Sequence, residues 1–250
     1  MHPDFIHLGP LDIRTYGVLV AVGFMVGLWV AARRAPGEGF KPDQVMDLGV
    51  WLVLSGMLGG KLFHVIFYWD DFIAAWRAEG VRSLREGFVF YGGFILASVT
   101  AVGYARVKRL PLAKLVDVLA PSIALGHAFG RLGCFFNGCC YGRACTLPWA
   151  VTFPPPHVMQ GIPVHPTQLY EVLGNVAIFV GLTAAYRHKR FDGQIWWLYV
   201  LGYGTLRFLV EFFRGDYTTH YFGVFTIAQL IAAGMILIAV VGLKLCKSSS

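Results

Sequence analysis

Apolar residues run through this chain in blocks of about 20, separated by short polar or glycine- and proline-rich joints. A helix of that length crosses the hydrocarbon core of a bilayer. The blocks predict seven spans, at 15–32, 45–68, 88–105, 115–133, 167–186, 194–213 and 224–243. They lack the short, alternating segments of a membrane β-barrel. Residues 1–14 read as a polar lead containing His2, Asp4, His7 and Asp12. Residues 69–87 mix acids, arginines and aromatics and read as an amphipathic stretch at the membrane surface. The longest joint, 134–166, holds three consecutive prolines at 154–156, which bar a continuing helix. The expected fold is therefore an all-α integral membrane protein, one polytopic domain over 1–250. The joint 134–166 forms a loop or head region.

Composition agrees with the pattern. The chain is 56% hydrophobic and 14% charged, against about a quarter charged in a soluble domain. The net charge of +7 raises the question of nucleic acid. The distribution answers it, because the basic residues sit in short clusters between apolar blocks and form no basic arm or stacking platform. No nucleic-acid partner is expected, whereas anionic lipid headgroups suit the charge.

The same clusters orient the chain. Arg33, Arg34, Lys41, Arg106, Lys108, Arg109, Lys114, Arg187, Lys189, Arg190, Lys244 and Lys247 fall on one side, 12 of the 21 basic residues. Arg14, Arg77, Arg82, Arg85, Arg143 and Arg214 fall on the other. The positive-inside bias then puts the N-terminus outside, the C-terminus in the cytoplasm and 134–166 on the outer face. No cleavable signal peptide is expected, because 1–15 lacks an apolar core. No convincing internal repeat supports an inverted-repeat transporter.

Candidate chemistry gathers around 125–145, LGHAFGRLGCFFNGCCYGRAC. Arg131 lies near the end of a span, where an unpaired charge is costly. Arg207 lies in another span. Two guanidiniums at the outer ends of different spans can converge on one phosphate, each as a bidentate fork. Alternatively each pairs with a carboxylate, and Glu211, four residues after Arg207, suits such a pair. Gly130, Gly133, Gly138 and Gly142 either admit an anion to backbone amides or pack helices. Cys134, Cys139, Cys140 and Cys145 are dense enough for disulfides, for packing as free thiols, or for zinc. The usual two-residue spacing of zinc ligands is absent. His127 shares a helix face with Arg131, and His64 and His165 are further candidate bases. His2, His7, His157, His188 and His220 are expected to be exposed. Tyr16 and Tyr91 fall at outer span ends, where interfacial tyrosines are common.

Six segments, in order, resemble one family: TYGVL at 15–19, GGKLFHVIFY at 59–68, FYGG at 90–93, GRLGCFFNGCCYGR at 130–143, HPTQLYE at 165–171 and GYGTLRFLVEFFR at 202–214. They look like the prolipoprotein diacylglyceryl transferases of bacteria, over nearly the whole chain. The resemblance implies transfer of the diacylglyceryl group of phosphatidylglycerol to the lipobox cysteine of a preprolipoprotein signal peptide. A thioether forms and glycerol phosphate leaves. It implies the bacterial inner membrane, an active site towards the periplasmic side, and no metal or other cofactor.

Tyr16, Gly92, Arg131, Asn137, Gly142, Arg207, Glu211 and Arg214 keep the family's residue types. Arg131, Arg207 and Tyr16 then belong to the catalytic set. Gly92, Asn137, Gly142, Glu211 and Arg214 belong to substrate binding. Three positions depart. Cys134 stands where the family usually has asparagine, Cys139 where it has glutamate, and Tyr91 where many members have a histidine treated as catalytic. One expectation is that Tyr91 and His127 jointly replace that base. The other is that the arginine field alone generates enough thiolate. An alternative to the transferase is a paralogue that binds or moves lipid, or modifies another acceptor. A small-solute transporter fits poorly, because apart from Lys61 and His64 the span interiors are largely apolar.

Overall fold

The structure is a computed structural model. It describes residues 4–8, 11–85, 87–155, 157–215 and 225–248. The expectations for His2, for His220 and for most of the joint between the last two apolar blocks lie outside the described residues.

The elements follow the apolar blocks closely. A hairpin of β1 (Asp4–Leu8) and β2 (Leu11–Arg14) leads into α1 (Thr15–Arg34). Then come α2 (Pro42–Phe67), α3 (Trp69–Glu79), α4 (Phe90–Val107) and α5 (Leu112–Asn137). They are followed by α6 (Thr167–Tyr186), α7 (Gln194–Glu211) and α8 (Ile227–Ser248). Short 3-10 turns fill Ala35–Glu38 and Gly80–Arg85. Six helices, α1, α2, α4, α5, α6 and α8, are long and apolar enough to cross a membrane. The sixth expected span, 194–213, is helical, as α7, but is not apolar enough to qualify by composition. It carries Gln194, Thr205, Arg207 and Glu211.

The polar lead adds a short hairpin to the helices, pairing Asp4 with Arg14 and Leu8 with Leu11. Two expectations need correction. The helix of the fourth span does not stop at Gly133. It runs to Asn137, which moves Cys134 out of the loop and into the last turn of α5. His64 lies in the last turn of α2 rather than in mid-span, stacked on Tyr68 at 5.5 Å.

The chain falls into two compact units. The first comprises Met1–Ala31 and Val116–Ser250, the second Ala32–Leu115. The second is built on α2 against α4. Gly59 and Gly92 lie face to face, each backbone occupying the space of the other's missing Cβ, and Gly93 lies over the Gly56 carbonyl. Small residues that let two backbones approach are how helices associate where lipid removes the hydrophobic drive. Lys61 donates to the Ser83 carbonyl at 3.0 Å, with its ammonium 5.2 Å from the Phe72 ring. That tethers the Gly80–Arg85 turn to α2 and gives a charged side chain inside an apolar helix its partners.

The first unit has a core of Ala120 and Ala124 on α5, Leu182 on α6, Ile195, Tyr199 and Val200 on α7, and Ala239 on α8. Large apolar side chains such as Leu173, Val180, Leu237 and Ile238 remain exposed, as lipid-facing positions do. Asp117 is wholly buried on α5. Its carboxylate accepts the Gly193 and Trp196 amides at 2.7 and 2.9 Å and pairs with Lys189 at 3.0 Å. It therefore caps the N-terminus of α7 from another helix, satisfying amides left open at a helix start. Asp117→Ala leaves those amides and the lysine without their buried acceptor. We expect it to cost about 3–5 kcal/mol, read as a lowered midpoint in a denaturation series of the purified protein, whereas Lys114→Ala should leave that midpoint unchanged.

Candidate active site

The site grows from the ends of α5, α6 and α7 in the first unit. Arg131 lies two turns before the end of α5. Arg207 and Glu211 share one face of α7, one turn apart, and Arg214 follows directly. Glu171 lies one turn into α6, 1% exposed. Arg131 Nε contacts Glu171 Oε2 at 2.7 Å, Arg207 Nη1 donates to Glu171 Oε1 at 3.3 Å, and Arg214 Nη1 stands 3.8 Å away. Arg207 Nη2 also pairs with Glu211 Oε2 at 2.9 Å, the expected pair one turn apart. The Thr226 hydroxyl donates to Glu211 Oε1 at 2.7 Å. Thr226 in turn forms a reciprocal capping box with Gln229 at the start of α8.

Three guanidiniums thus share two carboxylates, leaving a formal charge of +1 in a site where both carboxylates are buried. Arg131 keeps 21% of its side chain accessible, the most of the three. The arginines converge, and each is paired with a carboxylate. Glu171 is not among the residues expected at the site from the sequence. The signal was present, since a carboxylate one turn inside an apolar block demands a cation.

The loop after α5 is stitched to the same helices. The Gly142 amide donates to the His165 carbonyl at 3.0 Å, Arg143 donates to the Phe213 carbonyl at 2.9 Å, and His165 donates back to Arg143 at 3.0 Å. A Cβ on Gly142 would fall 2.6 Å from both of those carbonyl oxygens, so only glycine fits where three segments meet. At the start of α6, Gln168 Nε2 donates to the Cys139 carbonyl at 2.7 Å and the Thr167 hydroxyl to the Cys140 carbonyl at 2.8 Å. Cys140 is held at φ 63°, a region L-residues rarely adopt.

All five cysteines are free thiols. The sulfurs of Cys134, Cys139 and Cys140 lie within 4.8 Å of one another, the one group of possible metal ligands among the described residues. Hydrogen bonds from the Cys134 and Cys139 thiols push the Cys140 thiol well below its ordinary range. Burial opposes this, while Arg214 and Arg131 nearby reinforce it.

The remaining predicted residues divide. Tyr16 opens α1, its ring 3.0 Å from where a Gly133 Cβ would stand, in electrostatic range of Cys134 and Arg131. Asn137 ends α5 and is exposed. His127 shares Nδ1 with the Tyr199 hydroxyl at 3.0 Å and lies 4.8 Å from the Tyr203 ring centroid. Tyr91 and Gly92 are in the first turn of α4, in the second unit, with Tyr91 exposed beside Phe90. His157 is not exposed as expected. It accepts the Met159 amide at Nδ1, so its Nε2–H donates to the Gly138 carbonyl at 2.6 Å. Burial, with Arg143 adding, lowers the pKa of His165, whose Nδ1 lies 3.2 Å from the Tyr170 hydroxyl.

Fold and site together define a multi-pass helical membrane protein with a buried arginine cluster beside a cysteine-rich turn. The family model for prolipoprotein diacylglyceryl transferase matches residues 3–245, and the chain belongs to that family. It is 36% identical to the phosphatidylglycerol–prolipoprotein diacylglyceryl transferase of Finegoldia magna, over 92% of this chain and 90% of that one. The enzyme of the same name from Vibrio vulnificus is 36% identical over 94% and 88%. That from Clostridium tetani is 34% identical over 86% of each.

Proposed function

We propose that this chain moves the diacylglyceryl group of phosphatidylglycerol to the lipobox cysteine of a preprolipoprotein. The observation that carries the reading is the convergence of Arg131, Arg207 and Arg214 on Glu171. When the acceptor sulfur bonds to the glyceryl carbon, the carbon–oxygen bond breaks. The phosphodiester monoanion then becomes a phosphate monoester carrying more charge. Preorganised guanidiniums aimed at charge that develops late stabilise that step selectively. Glu171 and Glu211 hold the forks in place and keep the resting site from accumulating three unbalanced charges.

Arg131, the most accessible of the three, takes the phosphate first, and Arg207 and Arg214 complete the cradle. Tyr16, Asn137 and Gly142 shape the headgroup site around it. His127 receives the acceptor proton. Tyr91 and Gly92 are candidates by family pattern alone. The protein crosses the bacterial inner membrane seven times with α7 as the sixth span, N-terminus outside and the site towards the outer face. Charge on the short loops supports that orientation.

The test is direct. Purified protein is mixed with phosphatidylglycerol vesicles and a lipobox peptide, and glycerol phosphate release is followed alongside the peptide's mass. Equimolar release and thioether are expected. Folded, lipid-bound protein that releases nothing with any lipobox peptide overturns the reading.

A further inference from the structure

We propose that Cys134, Cys139 and Cys140 bind one zinc ion whose fourth position takes the acceptor thiol as thiolate. This rests on the transferase reading for its chemistry, but not for its metal. Sequence spacing argued against zinc, because four residues separate Cys134 from Cys139, and Cys140 follows at once. The fold removes that objection. Helix α5 runs on to Asn137, so Cys134 hangs from its last turn, and the chain bends back until all three sulfurs lie within 4.8 Å of one another. Zinc–sulfur bonds of about 2.3 Å place tetrahedral sulfurs about 3.8 Å apart. The cluster therefore closes on an ion by moving each sulfur by less than about 1 Å.

The support around the cluster is that of a built site. Gln168 and Thr167 pin the carbonyls of Cys139 and Cys140, and the Cys139 amide donates to the Cys134 carbonyl at 3.1 Å. Such outer contacts orient ligands and are worth about 10–100-fold in metal affinity. Cys145 is not part of the group, so three donors are present and a fourth position is open, the pattern of catalytic rather than structural zinc. Zinc with three thiolates carries one negative charge. Arg131 and Arg214, both in electrostatic range of Cys140, balance it.

The chemistry closes. The acceptor thiol binds zinc and releases its proton, which His127 or water carries away. The bound sulfur then forms its bond to the glyceryl carbon as the carbon–oxygen bond breaks, and glycerol phosphate leaves onto the arginines. The neutral thioether is a weaker ligand than a thiolate and departs. A free thiol of pKa about 8.5 is only about 3% thiolate at pH 7, so coordination raises the reactive fraction up to about 30-fold.

Purified protein, stripped with a chelator, is titrated with Zn²⁺ against a competing indicator and with Co²⁺ by absorption. One equivalent should bind, with thiolate-to-cobalt charge transfer. Binding should be lost in Cys139→Ser and in Cys140→Ser and kept in Cys246→Ser. Gln168→Ala should weaken it about 10–100-fold. Adding lipobox peptide should change the cobalt spectrum, and a Cys→Ser peptide should not. Chelation should slow transfer up to about 30-fold at pH 7 but only about 2-fold at pH 8.5, where the free thiol is half ionised. Zinc that binds no better to the native chain than to Cys140→Ser overturns the metal site. Zinc bound by the three cysteines with no peptide effect and no loss on chelation overturns the thiol-activating role. In both cases glycerol phosphate release stands, so the transferase reading survives. If release fails with zinc restored while binding holds, the transferase reading and the thiol-activating role both fall, and the metal site alone stands.

Discussion

Arg131→Ala should lower glycerol phosphate release by about 10²–10³-fold, the scale seen when one preorganised donor to a developing anion is removed. The loss should fall mainly on kcat. The substrate phosphodiester carries one charge, and the extra charge appears only as the carbon–oxygen bond breaks, so the guanidinium matters most in the transition state. Arg131→Lys should recover only part of the rate, because an ammonium keeps the charge but not the planar fork. Arg207→Ala should behave similarly, with an added fall in stability, since Arg207 bridges Glu171 and Glu211 at 3.3 and 2.9 Å. Steady-state kinetics on folded, lipid-bound variants checks this. A full rate for Arg131→Ala would remove Arg131 from the mechanism.

Glu171→Ala should be strongly destabilising, by about 3–5 kcal/mol. Its carboxylate is 1% exposed and faces three guanidiniums from two other segments. Removing it leaves like charges facing one another with no shared counter-ion. The penalty arises from the cations left behind more than from the bond lost. Glu171→Gln keeps the shape and an acceptor oxygen but not the charge, so it should fall between alanine and the native chain. A denaturation series in one detergent, with Glu79→Gln as an exposed control, measures it. A midpoint for Glu171→Ala equal to the control's would mean that Arg131, Arg207 and Arg214 are held apart by something other than this carboxylate.

The two sets of effects separate the roles of the cluster. Removing an arginine should cost chemistry first. Removing the glutamate should cost the fold first. Both follow from one arrangement in which the paired cations are already positioned and desolvated before substrate arrives, so little reorganisation remains for the reaction itself.

Much of this was legible along the chain. The span over residues 167–186 coincides with α6, and the other apolar blocks differ from their helices by a few residues at the ends. The Arg207–Glu211 pair followed from one-turn spacing. The motifs that carry the family resemblance hold Arg131, Arg207 and Arg214, and these converge. What could not be read was which acid receives them. Glu171 lies 36 residues from Arg207, and Asp117 lies 76 from the amide of Gly193 that it caps. Nor did spacing reveal the sulfur cluster, because the four residues by which α5 outruns its apolar block decide where Cys134 points.

The sequence by itself determined which segments are long and apolar enough to cross a membrane, because a bilayer responds to the apolar content of about 20 successive residues. It also determined the stock of charge available at the ends of those segments. Tertiary structure alone decided that Arg131, Arg207 and Arg214 meet at Glu171, and that Cys134, Cys139 and Cys140 share one small volume. Convergence of that kind depends on helix rotation and end position, set by packing between segments distant in the chain. No local pattern encodes it.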